Sequence, residues 1–253
     1  WKATVPNGLA VGVPGTVRGW DEALTRYGTM GFEAVLAPAI RVAEAGFAVG
    51  PNFHRISKVN EAKFARFSTA SALYLKDGQA LPVGTHFRNP DMAQTYRDLA
   101  RGGVKAFYEG PIAASIVSAV NHPPVNPGVT VIAGDMTMAD LKDYEARLRQ
   151  PVRSTYRGYE VYGMPTPSSG GIAIAQALNL LETFDLAGKP RAEIEHLYLE
   201  ASRLAFADRN AYVADEEFVD VPKDGLLSKA YARERARQIG ARDARSVIRH
   251  RDD

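Results

Sequence analysis

Cysteine is absent from the 253 residues. Its absence excludes disulfides, thiolate metal sites and a cysteine nucleophile, yet it leaves the compartment open, because oxidising and reducing surroundings both tolerate a chain without thiols. No apolar run is long enough to span a bilayer, and the opening "WKATVPNGLAVGVPG" does not read as a signal peptide. An excess of one charge is missing too, with 31 Lys and Arg against 29 Asp and Glu for a net +2. The arginines near the end, in "ARERARQIGARDARSVIRHRDD", are interleaved with Glu234, Asp243, Asp252 and Asp253, and no aromatic follows Tyr231 to stack on a base. That end reads as a solvated helical face or tail, and no nucleic-acid partner is implied.

Several catalytic signatures are missing as well. The serines of "PSSGG" lack the preceding glycine of a G-x-S-x-G elbow. There is no G-x-x-x-x-G-K-[ST] phosphate loop, and "GVPGTVRG" only faintly echoes a dinucleotide fingerprint. Glu193, His196 and Glu200 fall on one helical face, but a di-iron site needs the E-x-x-H step twice. A helix-surface salt bridge is the better reading. No cofactor or metal is implied.

What remains is an ordinary globular composition, 45% hydrophobic and 24% charged. Residues 1–253 are expected to form a single domain, with 241–253 as a flexible tail. "GLAVGVPG" reads as a short strand and "TVRGWDEALTRYG" as a helix with Gly28 as its C-cap. A helix follows over "GFEAVLAPAIRVAEAG", interrupted by Pro38, and helical patterns recur around 53–66, 90–101 and 104–120. "NHPPVNPGVTVIAGD" reads as a long loop with some β character. Thr137 and Asp140 resemble a capping box. The longest helix is expected from Ala192 to Val213 and a last one from Lys229 to Ile239. The sum is an α/β (α+β) chain, mostly helical with a few strands.

The most unusual stretch is "YGMPTPSSGGIAIAQALNLLE". Upstream, "VRSTYRGYEVYGM" reads as two short strands joined by a tight turn at Arg157-Gly158. Pro165 and Pro167 hold the backbone extended before the next helix. Ser168 or Ser169 is placed to cap that helix, and Gly170 and Gly171 allow another backbone to approach. Amides at such a helix start form a ready anion site.

The segment Gly12 to Gly19, "GVPGTVRG", together with Tyr27 to Met30 and Ala37 to Ile40, resembles the G-x-P-G-T-x-x-G, Y-G-T-M and A-P-A-I runs of the γ-glutamyltranspeptidase large subunit. Pro165 to Gly171 is similar to that family's P-P-P-S-S-G-G, with Thr166 in place of the middle proline. Its A-D-R, F-V-x-V-P and L-L-S-K-x-Y segments are matched at Ala207 to Arg209, Phe218 to Pro222 and Leu226 to Tyr231. The matches are collinear from about residue 8 to 240.

The resemblance implies an N-terminal-nucleophile hydrolase, a four-layer αββα sandwich shared between two subunits cut from one precursor. It implies a zymogen of glutathione metabolism whose small subunit starts with the attacking threonine. The threonine's own α-amine acts as base, backbone amides hold the oxyanion, and the acyl group passes to water or an amine acceptor. Neither the T-x-H-x-S-V segment carrying that threonine nor the R-E-x-A-P segment carrying a carboxylate clamp occurs here. The resemblance therefore puts no catalytic residue in this chain. Ser168, Ser169, Gly170 and Gly171 are the residues expected near a γ-glutamyl or related amide substrate. Leu178, Leu181, Leu197, Leu204 and Phe206 are expected to be partly buried by the small subunit.

Overall fold

Prolines after a glycine or asparagine open three of the helices. Pro51, Pro90 and Pro111 each take the first helical position, where no amide donor is needed and φ is already helical. In this computed structural model residues 6–240 are described, and the chain divides into two compact units, Trp1–Arg147 and Leu148–Asp253. The expected tail at 241–253 lies outside the described residues.

The first unit is helical, with helices α1 (Thr16–Tyr27), α2 (Phe32–Ala45), α3 (Pro51–Val59), α4 (Glu61–Phe64), α5 (Ser68–Tyr74), α6 (Pro90–Tyr108), α7 (Pro111–Asn121) and α8 (Met138–Lys142). Four two-residue strands form two small antiparallel pairs: β1 (Phe47–Ala48) with β4 (His86–Phe87), and β2 (Leu75–Lys76) with β3 (Gln79–Ala80). Val17, Leu36, Leu99, Tyr108, Val120 and Leu141 lie in its core. A second anchor is aromatic. Phe87 lies with ring centroids 5.1 Å from Phe53 and 5.4 Å from Phe47, and Tyr74 stacks on Phe64 at 4.8 Å. Such rings supply a large buried area per residue, which suits strands too short to hold by their ladders.

Three sequence expectations change here. The strand expected over "GLAVGVPG" is a single 3₁₀ turn at Gly8–Ala10 followed by irregular backbone. The Gly8 amide donates to the Ile132 carbonyl at 2.8 Å, and the Gly134 amide donates to the Val120 carbonyl at 2.9 Å, so these groups find partners outside any ladder. The helix expected over 53–66 is broken into α3 and α4. The break expected between 101 and 104 is present as a kink inside α6 at Gly103, whose φ is 59°, but the helix expected over 104–120 is itself interrupted, with α6 ending at Tyr108 and α7 starting at Pro111. The capping box is present: the Asp140 amide donates to the Thr137 hydroxyl, and the Thr137 amide donates to Asp140 Oδ2 at 2.7 Å.

The second unit sets helices on one hairpin. Strands β5 (Val152–Tyr156) and β6 (Tyr159–Gly163) pair antiparallel, with Tyr156 opposite Tyr159. Arg157 (φ 48°) and Gly158 (φ 87°) form the connection, the left-handed pair that a two-residue hairpin turn requires. Helices α9 (Gly170–Leu181), α10 (Arg191–Tyr212), α11 (Lys223–Leu227) and α12 (Lys229–Ala236) follow. Leu180, Leu181, Leu197, Ala201 and Leu204 make one core, and Val152, Ile172, Ala175, Val221 and Leu226 another. Leu181, Leu197 and Leu204 are thus covered by their own chain, contrary to expectation, because α9 and α10 pack these faces together. Leu178 is half-buried and Phe206 is 57% exposed.

Candidate functional site

The hairpin runs into α9 through residues 164–169, and two glycines set the geometry of that corner. A Cβ on Gly163 would sit 2.6 Å from the Gly171 Cα, and one on Gly171 would overlap the Met164 carbonyl oxygen. Side chains at either position would push the end of β6 away from the start of α9. Gly170 is different. It is exposed, and the nearest heavy atom to its hypothetical Cβ is Ser168 Oγ at 4.0 Å. Ser168 is exposed, and its amide donates to the Pro165 carbonyl at 3.1 Å.

Neither serine caps α9, against expectation. Ser169 holds the N-cap position with φ −84° and ψ −15°, already helical, and makes no side-chain cap bond. A capping hydroxyl needs extended backbone to fold back on the next amides. Ser169 Oγ instead accepts a hydrogen bond from Arg209 Nε at 3.0 Å. The first amides of α9 have no intrahelical carbonyl, and the Arg209 guanidinium adds positive charge beside them. The corner is therefore electropositive and suited to an anion. The partner of Ser169 is a donor that cannot take a proton, so this hydroxyl has no base to activate it there.

Under this corner lies a buried charge network that sequence reading did not assign. Asp208 and Arg235 are 2% and 3% exposed, with Arg235 Nη2 donating to Asp208 Oδ1 at 2.6 Å. Gln176 Nε2 donates to Asp208 Oδ2 at 3.1 Å and Tyr231 Oη donates to it at 3.0 Å. Residues of α9, α10 and α12 thus meet on one carboxylate. Burial, then the Asp208 charge, pushes the Tyr231 hydroxyl well above the usual phenol range. Arg235 belongs to the stretch read as a solvated face; it is instead buried, because it answers Asp208. The signal available was the A-D-R run itself, which sets Asp208 on the buried face of α10 and Arg209 on the exposed one.

Loop 213–222 is tied down nearby. Arg149 faces Asp215, Glu216 and Glu217 at 3.0–3.5 Å. The Lys223 ammonium paired with Glu216 holds that carboxyl below its usual range. The E-x-x-H face of α10 comes apart. Glu193 pairs with Lys189, Glu200 pairs with Arg203, and His196 Nε2 lies 2.8 Å from the Gly240 carbonyl oxygen. Among the described residues no group of three metal-ligating side chains occurs.

Comparison with known proteins fits this arrangement into a class. The chain superposes with TM-score 0.87 on Helicobacter pylori γ-glutamyltranspeptidase, at 33% identity over 97% of this chain and 68% of that one. It superposes at 0.82 on cephalosporin acylase from Bacillus halodurans, at 29% identity over 95% of this chain and 44% of that one. The fold is that of the N-terminal-nucleophile hydrolases, seen here in its mostly helical part. Residues 2–252 match the gamma-glutamyltranspeptidase family, and the chain belongs to it. Curated relatives include the acylase ACY 1 proenzyme of Pseudomonas sp. (strain V22), 39% identical over 97% of this chain and 43% of that protein. The glutathione hydrolase proenzyme of Escherichia coli (strain K12) is 37% identical over 96% and 41%. The chain thus spans less than half the length of these relatives.

Proposed function

We propose that residues 1–253 are the large-subunit portion of a self-processing amidohydrolase and acyltransferase that cleaves a γ-glutamyl or related amide. The observation that carries this reading is the family match along residues 2–252, with relatives that are themselves named proenzymes. On this reading the small subunit comes from the same precursor and starts with threonine. The threonine Oγ attacks the amide carbonyl while its α-amine takes the hydroxyl proton. That proton then passes to the departing amine, and water or a second amine releases the acyl group.

The part of this chain proposed to border the substrate is the corner Ser168–Gly171. Its support is the exposed Ser168 and Gly170, the α9 amides and Arg209, which together suit a carboxylate-bearing substrate. A second substrate reading, a non-glutathione amide, draws on the acylase names among the relatives and the solved structures. The test is the intact mass and N-terminal sequence of every polypeptide that co-purifies with this chain when its full-length gene is expressed. A second polypeptide starting with threonine is expected. An uncut precursor, or a partner starting with another residue, would favour a scaffold that has lost its chemistry. Turnover of a γ-glutamyl anilide against a cephalosporin side-chain amide then separates the two substrate readings.

A further inference from the structure

The second unit pairs most of its cations. Arg149, Arg153, Lys189, Arg191, Arg203 and Lys223 each form an ion pair with a nearby carboxylate. Arg233 and Arg237 differ. They lie one turn apart, Arg233 in α12 and Arg237 at its C-cap, both exposed, and among the described residues neither has an ion pair or side-chain hydrogen bond. Like charges four residues apart on a helix repel one another, while the C-terminal end of α12 favours cations, so the two guanidinium groups form a concentrated positive site at a helix end.

Both arginines line a cleft of about 530 Å³ between the C-terminal end of α9 and α12. That volume falls within the range of small-molecule sites, roughly 300–1,000 Å³. One carboxylate, Glu182, also lines it, and both its oxygens are engaged. Lys229 Nζ donates to Oε2 at 2.5 Å, and the Arg157 amide donates to Oε1 at 2.5 Å. The Lys229 ammonium and then the Arg157 amide hold Glu182 below the usual carboxylate range, so it stays ionised and already neutralised. Lys229 is further committed to the Thr155 carbonyl and Asn179 Oδ1. The charge left over in the cleft is that of the two guanidinium groups. Phe184 and Ala236 supply apolar wall beside them.

We propose that this cleft binds an organic anion through a phosphate or carboxylate group, held between Arg233 and Arg237, with the ligand's apolar body against Phe184 and Ala236. Guanidinium forks match both oxyanions, and two of them one turn apart offer more donors than a single side chain provides. The site is separate from the corner at Ser168–Gly171 in its residues, and the proposal does not depend on which amide the enzyme cleaves.

The experiment is calorimetric titration of the processed enzyme with inorganic phosphate and, separately, with succinate, at fixed ionic strength in chloride. One of the two is expected to bind at millimolar concentration, and the stronger names the oxyanion. The double variant Arg233→Gln/Arg237→Gln should weaken that binding by about tenfold or more. Arg191→Gln, which removes an exposed arginine already paired with Glu195, should leave it unchanged. Arg233→Lys, which keeps the charge but loses the fork, should fall between. No binding beyond that of chloride would overturn the proposal. So would equal binding by the double variant, or an equal loss in Arg191→Gln, which would mean bulk charge alone.

Discussion

The two units bury their polar anchors in different ways. In the first, the Tyr108 ring is fully buried, its hydroxyl donates to the Pro14 carbonyl at 2.6 Å, and it accepts from the Arg18 amide at 3.1 Å. Both partners are backbone and the anchor is neutral. In the second, the anchor is the Asp208–Arg235 ion pair with Gln176 and Tyr231 around it. A neutral side chain bonded to backbone needs only its own hydroxyl in place. A buried ion pair needs both partners, since either alone is an uncompensated charge away from water. The second unit should therefore be the more sensitive to single substitutions, and the comparison can be tested as such.

The largest effect is expected from Asp208→Ala. It leaves the Arg235 guanidinium buried without its carboxylate and removes the acceptor of Gln176 and Tyr231. The cost should be about 3–5 kcal/mol, read as a shift of the urea midpoint of the processed enzyme. A loss below about 1 kcal/mol would mean that water or another group answers Arg235, and the contrast between the units would fall. Next comes Gly171→Ala. Its new methyl group would meet the Met164 carbonyl, a backbone group that cannot rotate away, so about 1–3 kcal/mol is expected. Gly170→Ala is the internal control: with open space around it, the change should be neutral or stabilise by up to about 1 kcal/mol. Equal losses at both positions would show that helix-start flexibility, and not the crossing of β6 and α9, decides the corner.

Tyr108→Phe sharpens the comparison from the other unit. It strands the Pro14 carbonyl and the Arg18 amide, two neutral groups at about 1 kcal/mol or a little more each, for about 2–3 kcal/mol in total. The same urea midpoint should move less than in Asp208→Ala. If Tyr108→Phe were the worse of the two, neutral anchoring would be the more fragile device.

What was legible in the sequence was what local physics writes. The helix expected over 192–213 spans Arg191–Tyr212, the turn at Arg157-Gly158 has the left-handed pair it needs, and the Thr137–Asp140 box is formed. Each depends on residues a few positions apart. What stayed hidden depends on distance along the chain. Gly8 meets Gly134, the rings of Phe47 and Phe87 join two-residue strands, and Asp208 finds Arg235 two helices further on. No period announces such pairings. The serine caps failed for a related reason: Arg209, 40 residues away, takes the oxygen that a local reading gives to the helix start. The attacking group could not be read at all, because the residues that the family resemblance assigns to it do not occur in this sequence.

The smallest effect expected is also the one that bears most directly on chemistry. Ser168 is exposed, and the Ser169 hydroxyl is engaged by a guanidinium that donates and cannot accept a proton. Ser168→Ala with Ser169→Ala removes one hydrogen bond to Arg209, leaves the α9 amides in place and keeps the crossing of Gly163 and Gly171. Turnover of the processed enzyme should then stay within about tenfold of the parent, with any change falling mainly on KM, as for lost ground-state binding. A drop in kcat of more than about a thousandfold would place one of these hydroxyls in the bond-breaking step. It would then need a base supplied from outside residues 6–240, and the electropositive corner would have to be reread as part of the reacting centre.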